Sequence, residues 1–346
     1  MPVGTRGTVK GVLPDQIEQL GSQVILANTF HMMLKPGVDI VEKLGGLHKL
    51  MAWNKPILTD SGGYQVFSLA KINLKGDKGV EFASPYDGRK VYLDPKIVTG
   101  VQNRLGADII MCFDECPPHP CSRDELLKAV ERTIRWAQIC KDSHANDKQH
   151  LFGIVQGGVD ANLRAECTAE LAKMDFPGYA IGGLSVGEGY QDMKKTLDDT
   201  VNLLPQEKPR YLMGVGTPAD ILAAVTAGVD MFDCVMPTRN GRNAVAFTWN
   251  GPIRLKNSIH TEDPAPVDAQ CICYCCQNFS RAAIRHFFNV GEMLGPILLS
   301  LHNIAFYHNL MDKIRENVEN GTFESWAQRI AGTGAFVTKS NKDTDN

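Results

Sequence analysis

The sequence has no apolar run long enough to cross a bilayer. Its longest, such as residues 108–113 and 296–301, stop far short of the roughly 20 residues that a spanning helix needs. Nor does Met1 open a charged-then-apolar signal pattern. These absences exclude a helical membrane protein and predict a cytoplasmic one. An excess of charge of one sign is also missing: 36 Lys and Arg oppose 39 Asp and Glu, a formal net of −3, which excludes a protein that coats nucleic acid non-specifically. No Gly-x-Gly-x-x-Gly follows the first candidate strand, and Gly214-x-Gly216 is a weak signal alone, so a dinucleotide-binding fold loses its main support. Cysteine is plentiful, but ten in 346 residues make no disulfide framework. Four of them, Cys271, Cys273, Cys275 and Cys276, crowd into six positions while the rest scatter through apolar segments. That is the pattern of reduced thiols with one metal cluster.

What is present is a repeated pairing of a short, β-branched-rich apolar run with a polar or glycine-rich break and then a helical pattern. Candidate strands cover residues 23–26, 56–59, 108–113, 151–155, 179–181, 211–214 and 231–235, with residues 2–3 as the remnant of another. Ser122 with Glu125 forms a capping box, and Thr217 before Pro218 is an N-cap with proline at the first helical position. Leu126, Val130 and Ile134, widened by Leu127 and Ala137, give the following helix an apolar stripe. Asp60, Asp114, Gln156, Gly183 and Asp233 each end a different candidate strand. In a (β/α)8 barrel those ends converge on one mouth, where the active sites of this fold lie. The reading is therefore an α/β chain: a (β/α)8 TIM barrel over 1–250, an inserted zinc-binding subdomain over 251–310, and over 311–346 a closing helix, begun near residue 304, with a disordered tail from residue 339. Few apolar residues between 251 and 310 can build a core, so a metal is needed there.

The most informative stretch runs from Phe232 to Asn243, where an apolar run ends in Asp233 and is followed at once by Arg239 and Arg242. A nucleophile and phosphate grips would lie side by side. Between Met236 and His286, six basic residues face three acidic ones, against the sign of the whole chain, as a phosphate-binding face would. Downstream, Cys271-x-Cys273-x-x-Cys276 and His302 supply three thiolates and an imidazole, a closed structural zinc set, with Cys275 as a competing thiol. Taken singly, Asp233 also reads as a turn cap, Gln156 and Gly183 as turn chemistry, and Tyr64 and Met213 as core packing.

Both elements resemble the queuosine-type tRNA-guanine transglycosylases. So do Thr59-Asp60-Ser61-Gly62-Gly63-Tyr64-Gln65-Val66-Phe67, Phe113-Asp114-Glu115-Cys116, Gly153-Ile154-Val155-Gln156-Gly157 and Gly182-Gly183-Leu184-Ser185-Val186-Gly187-Glu188, six motifs in the family's order. The resemblance implies that Asp233 attacks the anomeric carbon of the wobble nucleotide and holds the tRNA as a covalent ribosyl-enzyme. Asp60 would be general acid and base, with Ser61 positioning Asp60 or the ribose. Asp114, Cys116, Gln156, Gly183 and Leu184 would read the base edge, and Tyr64 and Met213 would sandwich the base. Arg239 and Arg242 would hold phosphates, and Cys271, Cys273, Cys276 and His302 would bind one structural Zn2+ per chain. The implied partners are a tRNA with a GUN anticodon, an incoming base, and a second copy of the chain in a homodimer. Eukaryotic family members that take queuine carry glycine where this sequence has Val186. The branched side chain narrows the pocket and, with Cys116, matches the bacterial pattern, so the expected base is 7-aminomethyl-7-deazaguanine, its ammonium arm on the Leu184 carbonyl. Family members begin a few tens of residues earlier, which predicts a truncated first strand and incomplete barrel closure. A non-catalytic zinc-bearing tRNA-binding subunit would share the metal cluster, but retention of Asp60 and Asp233 argues against it. A generic barrel glycosidase leaves the cluster and the arginines unexplained.

Overall fold

The computed structural model describes residues 1–69, 71–333 and 335–336. Eight parallel strands pair in chain order: β1 (Val3–Gly4), β2 (Ile25–Ala27), β3 (Ile57–Thr59), β4 (Ile109–Met111), β5 (His150–Val155), β6 (Tyr179–Ile181), β7 (Arg210–Leu212) and β8 (Met231–Phe232). Ala27 pairs with Thr59, Leu58 with Ile109, and Leu212 with Phe232. Between β8 and β1 a parallel bridge joins Pro2 to Cys234, and the Met1 amino group donates to the Phe232 carbonyl at 2.8 Å. The expected gap at the first strand is thus bridged on both sides, because two residues of β1 suffice to carry the ladder across.

Alternation along each strand sorts side chains between two layers, as closure of a parallel sheet requires. Leu26, Leu58, Met111, Phe152, Ile154, Ala180 and Tyr211 form one buried cluster inside the ring. Ile25, Ala27, Ile57, Ile110, Val155, Ile181 and Leu212 belong to the core beneath the helices. Helix α1 (Arg123–Ser143) starts at the expected capping box: Glu125 N donates to Ser122 Oγ at 3.3 Å, and Ser122 N donates to Glu125 Oε2 at 3.2 Å. Its Leu126, Val130 and Ala137 are buried. Helix α2 (Ala161–Lys173) follows β5, and α3 (Pro218–Ala227) is capped by Thr217, whose Oγ1 accepts from Asp220 N at 3.1 Å.

Two readings need correction. The closing helix, α5 (Leu294–Glu319), begins well before residue 304, so the boundary at 310 falls inside it. Gly295-Pro296 looks like a break, yet a proline in the first helical turn lacks only an N–H that would have no partner there. Residues Lys71–Lys75, Val80–Ala83 and Lys90–Leu93 form a three-stranded antiparallel sheet inserted between β3 and β4, which the barrel reading passed over. The terminal segment expected to be disordered lies outside the described residues. Among the described residues no helix is long and apolar enough to cross a membrane.

After β8 the short helix α4 (Met236–Arg242) packs on α5 so closely that a Cβ on Gly241 would stand 2.6 Å from Ser300 N. A hairpin (Val245–Ala246 with Ile253–Arg254) and the helices Tyr274–Asn278 and Arg281–Val290 then build a second, smaller core with α5 around Ala246, Leu255, Val267, Ile284, Leu298 and Leu299.

Candidate active site and metal centre

The strands stop just short of the residues that carry chemistry. β8 ends at Phe232, so Asp233 is the first residue beyond it, as Asp60 is beyond β3 and Gln156 beyond β5. One cavity of about 630 Å³ at this end of the barrel is lined by Asp60 and Asp233, by Ser61, Tyr64, Asp114, Cys116, Gln156, Gly183, Leu184, Val186 and Met213, and by Arg239. Of the expected substrate-site residues only Arg242 stands outside its lining.

The acids sit in unlike surroundings. Asp233 is half-buried, and its Oδ1 accepts from Tyr211 Oη at 2.5 Å and from Gly214 N at 2.7 Å. Among the described residues no donor reaches Oδ2, which leaves that oxygen for attack. Burial, then the Asp233 charge, pushes the Tyr211 phenol well above its ordinary pKa, so it remains a donor. Asp60 is buried; its Oδ2 accepts from Asn28 Nδ2 at 2.5 Å and its Oδ1 from Thr29 N at 2.9 Å. Burial raises its pKa to about 7, with the charges of Asp233 and Asp114 adding to the rise and the Thr29 N–H opposing it. A carboxyl group poised there can give and take a proton near neutrality.

Asp114 is buried with both oxygens held, Oδ1 by Ser61 Oγ at 2.9 Å and Oδ2 by Gln156 Nε2 at 2.7 Å, and burial raises its pKa. Ser61, expected beside Asp60 or the ribose, therefore serves Asp114 instead. Its hydroxyl also accepts from Gly63 N at 3.1 Å. The Gln156 amide packs so tightly that a Cβ on Gly182 would lie 2.7 Å from its Nε2 and one on Gly183 2.3 Å from its Oε1, and Gly183 has φ +66°. Only glycine leaves room there for both the amide and a flat ligand. Beyond Leu184, the Glu188 carboxylate accepts from Ser185 N and from Val186 N, the latter at 2.9 Å, which fixes the turn that carries Val186. Burial pushes the Cys116 thiol up to about 12, so it stays neutral. Tyr64 is exposed at the rim and Met213 half-buried.

Arg239 is exposed on α4 and Arg242 half-buried at its end, with Nη1 shielded and without a hydrogen-bond partner. Burial, then Arg239, lowers the Arg242 pKa. Among the described residues neither guanidinium has a carboxylate within ion-pair reach, so both remain open to an anion.

The chain matches the queuine tRNA-ribosyltransferase family over residues 1–334. It belongs to that family. It is similar to the queuine tRNA-ribosyltransferase of Francisella tularensis subsp. novicida (strain U112), 50% identical over 330 residues that cover 95% of this chain and 90% of that protein. The Acetivibrio thermocellus protein of the same name is 52% identical over 319 residues, 92% of this chain and 85% of that one. The protein of that name from Acinetobacter baumannii (strain ACICU) is 50% identical over 331 residues, 95% and 88% of the two chains.

In this queuine tRNA-ribosyltransferase family member the thiol cluster is assembled as the spacing predicts. One ligand atom from each of Cys271, Cys273, Cys276 and His302 lies within 4.8 Å of the others, a set that could hold one metal ion. His302 Nε2 faces the Phe247 carbonyl at 2.9 Å, which fixes the proton on that nitrogen and turns Nδ1 to Cys276 Sγ at 3.2 Å and Cys273 Sγ at 3.7 Å. Tetrahedral bonds of about 2.0–2.3 Å to sulfur and nitrogen require ligand spacings near these. Cys275 is fully buried in the small core and is not one of the four clustered ligands.

Sequence reasoning missed the residues that hold the two acids: Asn28, Thr29 and Tyr211. Asn28 follows β2 as Asp60 follows β3, and that shared strand-end position was the available signal.

Proposed function

We propose that this chain exchanges the wobble guanine of a tRNA with a GUN anticodon for 7-aminomethyl-7-deazaguanine, as a tRNA-guanine transglycosylase of the bacterial type. The observation that carries the reading is a pair of carboxyl groups in one cavity with unlike surroundings. Asp233 offers a free oxygen beside two donors, and Asp60 is shifted to about 7. Asp233 Oδ2 bonds to C1′ as the C1′–N9 bond breaks, its electron pair moves into the purine, and Asp60 gives the purine its proton. Asp60, now ionised, takes a proton from the incoming base, whose nitrogen bonds to C1′ and releases Asp233. Two displacements restore the starting protonation of the protein.

The base must leave the anticodon stack to reach the cavity. Asp114, held by Ser61 and Gln156, accepts from the purine N1–H and 2-amino group, while the Gly183 N–H and the second Gln156 amide hydrogen face O6. Tyr64 and Met213 cover the ring faces, Cys116 lines the wall, and the Leu184 carbonyl takes the ammonium arm. Val186 limits the space beside it and disfavours the cyclopentenediol of queuine. Arg239 and Arg242 hold phosphates. The metal is one Zn2+ with a structural role, since four protein ligands leave no position for water. The working unit is a cytoplasmic homodimer.

The test is exchange of labelled guanine into unmodified tRNAs that read Asp, Asn, His or Tyr codons. Asp233→Asn should remove both exchange and the denaturation-resistant tRNA adduct while the fold stays intact. An Asp233→Asn protein that still forms the adduct sinks the assignment, and no exchange by the unmutated chain favours a non-catalytic tRNA-binding subunit.

A further inference from the structure

Arg164, on the first turns of α2, is 1% exposed, and among the described residues no carboxylate lies within ion-pair reach. The contrast is Arg132, also buried, whose guanidinium is paired with Glu115. An unpaired buried cation is costly to desolvate. Burial lowers the Arg164 pKa to about 10, which still leaves it charged at neutral pH. Among the described residues only backbone carbonyls receive it: Nε donates to Gly158 O at 2.7 Å, Nη2 to Gly182 O at 2.8 Å and Nη1 to Val155 O at 3.5 Å. Its stem fills the space beside Gly157, where a Cβ would stand 2.8 Å from Arg164 Cγ. One guanidinium thus joins the ends of β5 and β6 and the turn between Gln156 and α2.

The Gly182 carbonyl belongs to the same peptide unit as the Gly183 N–H. That N–H makes no hydrogen bond among the described residues, and Gly183 lines the cavity. A cation on the carbonyl oxygen draws electron density along the peptide and makes its N–H a stronger donor. We propose that Arg164 is a positioning residue that acts through this peptide, aiming and polarising the Gly183 N–H toward the base O6. The inference rests on the proposed reading of the cavity as a guanine-exchange site. When the C1′–N9 bond breaks, the electron pair enters the purine and density rises on O6. A preorganised donor backed by a fixed charge strengthens at that moment, as donors aimed at a developing oxyanion do. The proton still comes from Asp60, so Arg164 changes no stoichiometry.

The test separates this role from a merely structural one by asking whether the effect needs an oxygen at position 6. The full chain is assayed for labelled-guanine exchange into unmodified tRNA, with 2-aminopurine, which keeps the 2-amino group but has no O6, as competitor. Arg164→Gln should lower kcat/KM for guanine by roughly tenfold or more, because a donor to developing charge is weakened, while the inhibition constant of 2-aminopurine moves by less than about twofold, as a ligand with no O6 gains nothing from the relay. Arg164→Lys keeps the charge on one carbonyl and should recover part of the guanine-specific loss. It also decides the matter if the glutamine variant does not fold. Equal losses for the two bases, or no loss for guanine, overturn the proposal. Failure of the unmutated chain to exchange guanine overturns the reading of the site itself, and is a separate result.

Discussion

At the scale of single residues, the environment of Asp60 makes the chemistry pH-dependent in a definite direction. Burial, then the Thr29 N–H in opposition, then the Asp233 and Asp114 charges set its pKa near 7, with the protonated form favoured below and the carboxylate above. In the proposed mechanism departure of guanine needs the acid form, so kcat/KM for tRNA should fall as pH rises through about 7. Entry of the new base needs the carboxylate, so kcat/KM for the base should fall as pH drops. In the ribosyl-enzyme Asp233 is an ester without charge, which removes one cause of the raised value, and the second limb should lie at lower pH than the first. Two limbs at the same pH, or either limb surviving in Asp60→Asn, would count against this assignment. Val186 carries the other expectation at this scale. Its removal in Val186→Gly should admit queuine, since overpacking a rigid site costs on the order of 1–3 kcal/mol, and competition kinetics showing queuine used equally well by the unmutated chain would reject it. The strand-end positions of the two acids were legible because each follows an apolar run; Asn28 follows one too, but which acid it would hold was not legible. Asn28 and Asp60 are brought together by strand pairing, and no local spacing shows which of many polar residues will face across.

At the scale of elements, legibility followed the strength of local pattern. Residues 179–181 coincide with β6 because tight turns bound a short apolar run, while 211–214 and 231–235 overshoot β7 and β8, which end at Leu212 and Phe232 where backbone turns toward the cavity. The antiparallel sheet was hidden because its strands are only four or five residues long, although Val80 and Phe82 on one and Leu93 on the next turn into the core. The early start of α5 matters for the metal, since it puts His302 on a helix shared by the barrel and the small core. That geometry predicts how zinc loss propagates. His302→Ala or Cys273→Ala should release the metal and loosen the small core around Val267, Ile284 and Leu298, lowering the unfolding temperature by on the order of 10 °C, whereas Cys275→Ser should keep the metal. Metal analysis of the three proteins with thermal unfolding checks this, and stoichiometric zinc in the His302→Ala protein would contradict the ligand set.

At the scale of the whole molecule, a chain with a formal charge of −3 that takes a polyanion, as the proposed function requires, would do so by segregation. Arg239 lines the cavity that holds both acids, Arg242 follows on the same short helix, and neither has a carboxylate partner among the described residues. Gly241 lets α4 press against α5, so the two guanidinium groups are presented by a braced element. A flexible loop would not hold them so. Each arginine that neutralises a phosphate on a single-stranded loop releases condensed cations and contributes roughly 0.7 to the slope of log affinity against log salt. Replacing both by alanine should therefore weaken tRNA binding at low salt and flatten that slope by about 1.4, while discrimination among incoming bases stays unchanged because the purine-reading residues lie on other strand ends. Titrations of tRNA binding across a range of salt, with base competition run on the same variants, separate the two effects. A slope that stays as steep in the double variant would mean that phosphates are held elsewhere on the surface, and that these two arginines serve α4 and the cavity wall instead.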